Sequence, residues 1–190
     1  MNADVDISTA VLETPRLILR AWEPGDLADF YEYCSVEGVG EAAGWTHHKN
    51  VDESRRILEI FIAERKTFAI VLKESGKVIG SLGLEELRKG YPPEFDRLRG
   101  REIGYVLSRD YWGRGLMPEA VARVVLYCFE DENYDFLSSG HFDWNVRSRR
   151  VLEKVGFRPF KEMEYRTRYG TTEHGQQLLL TREDWLRSNN

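Results

Sequence analysis

The chain is short of several things, and each shortage narrows what it can do. Only two of its 190 residues are cysteine, Cys34 and Cys128, far apart in sequence. They form no disulfide framework and no cysteine-based zinc spacing, and they fit a reducing, cytoplasmic setting. Basic charge is not in excess either. Lys and Arg number 27 against 32 Asp and Glu, a formal net charge of −5. A general nucleic-acid binder carries a basic footprint, so that class is disfavoured. No stretch approaches the roughly 18 apolar residues of a membrane helix. The longest candidate, Ala120 to Phe129, is interrupted by Arg123. Met1 to Ala10 carries Asp4 and Asp6 and has neither a basic start nor a long apolar run, so it does not read as a secretory signal. Internal repeats and low-complexity segments are missing too.

What is present is the material of a core. Nine Phe, nine Tyr and five Trp rule out wholesale disorder. The length suits one domain over residues 1–190, with 1–10 expected as a loose tail. Arg16 to Trp22 reads as a strand. Pro24, Gly25 and Asp26 follow, and Leu27 to Cys34 reads as a helix with Asp26 as its N-cap. Glu37 to Lys49 is a glycine-punctuated loop. Asn50 with Glu53 is a possible capping box, opening a helix expected to bury Ile57, Ile60, Phe61 and Ala63. Thr67 to Lys73 and Lys77 to Leu87 read as strands joined at Ser75-Gly76. Arg88 to Gly100, with Pro92 and Pro93 amid charges, reads as an exposed loop.

Arg101 to Ser108 is the next strand. Pro118 then opens a helix in which Val121, Val124, Val125 and Cys128 repeat at helical spacing. Phe136 to Phe142 is a strand, and Asn145 to Val155 a helix closed by Gly156. Phe157 to Tyr169 and Gln176 to Thr181 finish as strands around Gly170 and Gly175. The order predicts an α/β or α+β plan with a largely antiparallel front and one strand–helix–strand crossover.

The sharpest local feature is Tyr111-Trp112-Gly113-Arg114-Gly115-Leu116-Met117-Pro118-Glu119-Ala120. Two glycines between a strand and a helix let the backbone approach a ligand closely, and the helix N-terminus offers unpaired N–H groups to a phosphate. Arg114 can add a charge-assisted contact. A tight strand-to-helix turn with no ligand is the plainer alternative. The turn is not a P-loop, since the Gly-Lys-Ser/Thr ending is absent, and Pro118 stands where a dinucleotide fingerprint needs its third glycine.

Here the sequence resembles a known family. Arg101-Glu102-Ile103-Gly104-Tyr105-Val106-Leu107-Ser108, followed by Tyr111 to Gly115 and Glu119-Ala120, is similar to the acetyl-CoA-binding core of the GNAT acetyltransferase superfamily. The ribosomal-protein N-acetyltransferase-like branch is the nearest likeness. Asn145 to Phe157 resembles that branch's Asn-x-x-Ser…Lys-x-Gly-Phe signature, and Glu13 to Arg20 and Thr181 to Trp185 match its opening and close. The ordered blocks span Leu12 to Trp185. Two positions depart from the usual superfamily turn: Trp112, common in this branch, and Met117, bulkier than the usual small residue.

The resemblance implies a mixed, mostly antiparallel sheet flanked by helices, with a splayed strand pair at the cofactor cleft. It implies acetyl-CoA as co-substrate, a primary-amine acceptor, and a monomer or homodimer. Val106, Leu107 and Ser108 would meet the pantetheine arm, with a backbone N–H near Val106 polarising the thioester carbonyl. Trp112, Gly113, Arg114, Gly115, Leu116 and Met117 would wrap the pyrophosphate, and Asn145 would reach the pantetheine or serve only as a helix cap. Glu102 is the implied base, with Glu85 and Glu86 as alternatives, or it is simply paired with an arginine. Ser148 is the implied partner of the departing sulfur. Trp45, His47 and Glu85 would border the acceptor, with the loop Arg88 to Gly100, Tyr165 and Tyr169 as further walls. Arg147, Arg149 and Arg150 would meet the 3′-phosphate or form a solvated helix face. His47 and His48 lack a third ligand at matched spacing, so no metal is expected. Cys34 and Cys128 read as core residues. The competing reading is an acyl-CoA-binding sensor that has lost transfer.

Overall fold

The computed structural model describes residues 1–189. Eight strands form one sheet: β1 (Leu12–Glu13), β2 (Leu17–Ala21), β3 (Thr67–Leu72), β4 (Lys77–Glu85), β5 (Gly100–Leu107), β6 (Phe136–Phe142), β7 (Arg158–Arg166) and β8 (Thr172–Thr181). Their order across the sheet is β1-β2-β3-β4-β5-β6-β8-β7. Every neighbouring pair is antiparallel except β5 and β6. Among the described residues there are five α-helices: α1 (Leu27–Cys34), α2 (Val51–Glu64), α3 (Leu116–Leu126), α4 (Val146–Val155) and α5 (Arg182–Asn189).

The sheet separates two apolar cores. On one face α3 and α4 bury Ala120, Val121, Val124, Val125 and Leu152 against Leu19, Ile70, Ile79, Ile103 and Leu137. On the other, α1 and α2 cover Ala69, Val71 and Val78 with Phe30, Tyr33, Cys34 and Leu58. The strands under both layers are nearly continuously apolar because both faces are covered: Thr67–Val71 and Val78–Leu84 are buried without a break. The single parallel pair follows from the crossover through α3, since a parallel connection needs a long excursion across one face.

Several local expectations change in three dimensions. Residues 1–10 are not a loose tail. Asn2 bridges Gly100, the Ala3 N–H donates to the Gly100 carbonyl at 3.1 Å, and the Ile7 N–H donates to Arg65 at 2.9 Å. Ala3 and Ile7 are buried in the core. Asp26 precedes α1 but does not cap it. Its carboxylate instead accepts two bonds from Arg20 at 2.8 Å and one from the Glu23 N–H at 2.9 Å, which leaves it turned back toward the preceding turn rather than onto the α1 amides. Asn50 does cap α2 through the Glu53 N–H, but the Glu53 carboxylate returns to Lys49 rather than to Asn50. Ile60 and Ala63 of α2 are exposed, and the buried face runs through Ser54 and Leu58. Two elements, β1 and α5, were too short or too polar to stand out.

Candidate active site

The site begins where the parallel pair comes apart. β5 and β6 are paired from Gly100↔Phe136 to Ile103↔Ser139 and no further. Beyond that point β5 stays bonded only to β4, through Gly104↔Gly83 to Leu107↔Gly80. β6 stays bonded only to β8, through Gly140↔Gln177 to Phe142↔Gly175. Ser139 marks the fork, its hydroxyl donating to the Ile103 carbonyl at 2.8 Å. The two free edges face each other across a cavity of about 400 Å³.

The alternation of the strand decides which β5 groups face that gap. The Ser108 N–H donates to the Ile79 carbonyl at 2.8 Å, so Ser108 is turned toward β4. Val106, two residues back, is turned the same way, its carbonyl lying against Gly80. The groups turned into the gap are therefore those of Tyr105 and Leu107. The amides turned into the gap near Val106 are thus those of its two neighbours; Val106 itself lines the cavity, and Ser108 does not.

The glycine turn closes one end. Gly113 and Gly115 have φ of +77° and +73°, a region that strains any L side chain. Gly115 is the residue before α3, so the first-turn N–H groups of Leu116 and Met117 have no partner within the helix. Pro118 is the third helical residue rather than the first, still within the turn where its missing N–H costs nothing. The turn is held from outside by the chain's opening segment. Arg16 donates to the Arg114 carbonyl at 2.9 Å, and its guanidinium also pairs with Glu119, whose Oε1 accepts from the Thr14 hydroxyl at 2.6 Å. Burial works against the Glu119 carboxylate, but these bonds outweigh it and hold its pKa below the ordinary value. The Arg114 side chain lies over Tyr111 at 5.1 Å and does not line the cavity. Trp112 does. Its indole N–H donates to the Leu107 carbonyl at 2.8 Å, and the Arg147 guanidinium sits 4.1 Å from its ring centre.

The start of α4 forms the inner wall. Asn145 accepts the Ser148 N–H at 3.1 Å as N-cap, and its amide donates to the Ala42 carbonyl at 3.1 Å. It therefore ties the helix to the Glu41–Ala43 turn across the cleft. The Ser148 hydroxyl lies 2.9 Å from the Tyr105 hydroxyl. Burial pushes the Tyr105 phenol well above its ordinary value, so it stays protonated. Arg147, Arg150 and Lys154 supply positive charge along the same wall, while Arg149 does not line it.

The opposite end holds the buried carboxylate. Glu102 is 8% exposed and accepts from Arg88 Nε with both oxygens, at 2.9 and 3.1 Å. Burial raises its pKa above the ordinary carboxylate value, with Arg88 pulling the other way. Arg88 lies over the Tyr165 ring at 4.8 Å, and Tyr165 packs on Phe142. His141, Met163 and Tyr165 line this end. Three expected acceptor residues sit elsewhere. Trp45 packs on His48, with ring centres 5.1 Å apart. His47 is held 2.9 Å from Glu41. Glu85 pairs with Lys66 at 2.9 Å. None of the three lines the cavity, because each is spent on a neighbour in its own layer. Tyr169 donates to the Glu41 carbonyl, also outside it. Conversely, Arg88, Tyr105 and His141 line the cleft without having been singled out. Tyr105 precedes residues of β5 expected to matter, whereas nothing in the β6 sequence pointed to His141, which the parting of the strand pair brings to the cleft. Among the described residues no group of three or more His, Cys, Asp or Glu could hold a metal ion, and no helix is long and apolar enough to cross a membrane.

Comparison with known proteins agrees with this geometry. A family described as the acetyltransferase (GNAT) domain matches residues 16–158. An uncharacterized N-acetyltransferase, p20 of Bacillus licheniformis, is 29% identical over 152 residues, covering 77% of this chain and 81% of its own. Among solved structures, the ribosomal-protein-S5-alanine acetyltransferase of Vibrio fischeri superposes with a TM-score of 0.72 at 20% identity, over 93% of this chain and 98% of its own. Mycobacterium smegmatis RimJ in complex with CoA-disulfide does so with a TM-score of 0.70 at 18% identity, over 95% and 93%.

Proposed function

This chain belongs to the GNAT acetyltransferase family, and on that premise we propose that it moves an acetyl group from acetyl-CoA directly to a primary amine, both bound at once. The acceptor is the N-terminal α-amine of a protein or peptide, or a small-molecule amine. The observation that carries this reading is the parting of β5 from β6 beyond Ile103 and Ser139, with the glycine turn at one end and Glu102 at the other. A strand edge without a partner offers the pantetheine arm backbone groups to pair with. The left-handed turn and the start of α3 offer the pyrophosphate N–H groups. Arg147, Arg150 and Lys154 offer charge to the 3′-phosphate.

In this reading Glu102 takes the proton from the acceptor nitrogen. The new C–N bond forms as the thioester C–S bond breaks, the sulfur leaves with the electron pair as a thiolate, and the Ser148–Tyr105 hydroxyl pair stabilises it by hydrogen bonding. An α-amine, with a pKa near ~8, demands less of the base than a lysine near ~10.4. The neighbour named for alanine acetylation of a ribosomal protein adds weight to the α-amine. The test is calorimetric titration with acetyl-CoA, with dephospho-coenzyme A and NADH as comparators, followed by thiol-release assays on free-N-terminus peptides and small amines. Micromolar binding weakened by loss of the 3′-phosphate, then transfer, is the expected result. No binding at millimolar acetyl-CoA defeats the proposal, and binding without transfer across the panel points to a sensor. Ser148→Ala should lower turnover more than affinity.

A further inference from the structure

The loop from Arg88 to Arg99 is more than a wall of the cleft. It is exposed over most of its length, yet three ties dock it. The Gln177 side chain, fully buried, donates to the Tyr91 hydroxyl at 2.7 Å and to Ser138 Oγ at 2.8 Å. Lys161 Nζ donates to the Lys89 and Gly90 carbonyls at 3.1 and 2.9 Å. Tyr91 packs between Phe136 and Phe160, at 5.6 and 5.7 Å. These ties fix the loop without help from Glu102. They bring one side chain, Arg88, to the bottom of the cleft with its guanidinium over Tyr165 and its Nε between the two Glu102 oxygens.

We propose that Arg88 is a positioning residue for the reaction, held by its docked loop so that the Glu102 carboxylate stays ionised and aimed into the cleft until the acceptor's proton arrives. The inference rests on Glu102 being the base. The physical need is plain. A carboxylate this deeply buried loses its hydration, and without a cation it takes a proton from solvent and cannot take one from the amine. Among the described residues, the other charged or titratable groups around it make no such contact with the carboxylate. Glu85 on β4 is a like charge. Tyr91 on the loop is neutral, and Lys161 on β7 favours the ionised carboxylate only through space, its ammonium bonded to the loop carbonyls. His141 of β6 lines the same cleft but bonds the Phe142 carbonyl at 3.0 Å. The single Nε–H, shared between both oxygens, also centres the carboxylate on a guanidinium held over Tyr165, which a mobile lysine would not do as well.

The deciding experiment needs no acceptor. Protein labelled at the glutamate side-chain carboxyl carbon is titrated by NMR as wild type, Arg88→Gln and Arg88→Lys, with Glu102→Gln identifying the resonance. The midpoint for Glu102 should move to higher pH in Arg88→Gln and return most of the way in Arg88→Lys. An unmoved midpoint in Arg88→Gln overturns the proposal. A second readout is the pH profile of kcat/KM with whichever amine of the panel is acetylated. Arg88→Gln should lose about tenfold near neutral pH and recover at the alkaline end. A loss equal at every pH marks a merely structural role and also overturns it. The two readings separate cleanly. Turnover unchanged in Glu102→Gln removes the base while the NMR shift still stands. Turnover lost in Glu102→Gln with no shift in Arg88→Gln keeps the base and removes Arg88.

Discussion

Asn145 makes two bonds that substitution can take apart. Its side-chain carbonyl caps α4 and its amide holds the Ala42 carbonyl, both at 3.1 Å. Asn145→Ala removes both. Losing an N-cap costs about 1 kcal/mol. Losing a hydrogen bond to a half-buried carbonyl costs about another 1 kcal/mol. The sum, about 2 kcal/mol, corresponds to a fall in Tm of roughly 4–8 °C for a domain of this size. Asn145→Ser keeps a capping oxygen but cannot reach Ala42, so it should cost only about half as much. Urea unfolding of the three proteins, read by linear extrapolation, measures the differences directly. The site adds a second readout. With Ala42 released, the Glu41–Ala43 turn no longer spans the cleft, so both variants should bind acetyl-CoA more weakly than wild type. Equal destabilisation by serine and alanine would show that the cap contributes nothing. Affinity falling in the alanine variant alone would refute the link through Ala42.

Glu119→Gln should destabilise by about 1–2 kcal/mol at neutral pH, since it breaks the Arg16 pair and weakens the Thr14 bond. The folded pKa of Glu119 is depressed, so its contribution is full above the ordinary carboxylate value and lost as pH falls through the folded one. The gap between variant and wild type should therefore close in acid melts, and a gap constant with pH would contradict this. Gly80→Ala places a Cβ against the Val106 carbonyl oxygen and 3.2 Å from the Leu107 Cα. Backbone cannot yield as a side-chain tip can, so the variant should lose about 1–3 kcal/mol of stability and bind acetyl-CoA more weakly. Wild-type affinity by calorimetry would show that β5 need not hold its place. Both thiols, Cys34 and Cys128, are buried, and burial pushes their pKa values up. Ellman's reagent should react with neither in the native protein and with both in denaturant. A fast native reaction would place one at the surface.

The elements legible in the sequence were those whose signals are local. The strand Phe136–Phe142 and the helix from Asn145 to Gly156 carry their own punctuation: a capping Asn at one end and a Gly with φ of +102° at the other. What failed was decided at a distance. Asp26 sits where a cap belongs, but Arg20, six residues earlier on β2, claims its carboxylate. Residues 1–10 look like a tail because nothing local holds them. Their bonds go to Gly100 and Arg65. On α2, Ile60 has the composition of a core residue, but the sheet lies under Leu58 instead.

The same distinction divides the site. The end proposed for the cofactor is lined mainly from one stretch, Tyr105 to Pro118, plus the start of α4. Its chemistry is mostly backbone chemistry, which glycines and helix starts announce in sequence. The end proposed for the acceptor is assembled from Ala42, Arg88, Glu102, His141, Met163 and Tyr165, drawn from five separate segments. No spacing rule joins them. Arg88 and Glu102 stand fourteen residues apart, and the β4–β5 register, with Glu85 opposite Glu102, together with the docking of a proline-bearing loop by Gln177 and Lys161, makes them neighbours. An end made of backbone amides and one charged wall tolerates change in side chains and keeps one ligand. An end made of side chains from distant segments changes its ligand with any one of them. If the acceptor binds at this end, as proposed, substitutions at Arg88, Met163 and Tyr165 should change which amine is acetylated more than they change acetyl-CoA affinity, and an unaltered amine preference in all three would refute the placement.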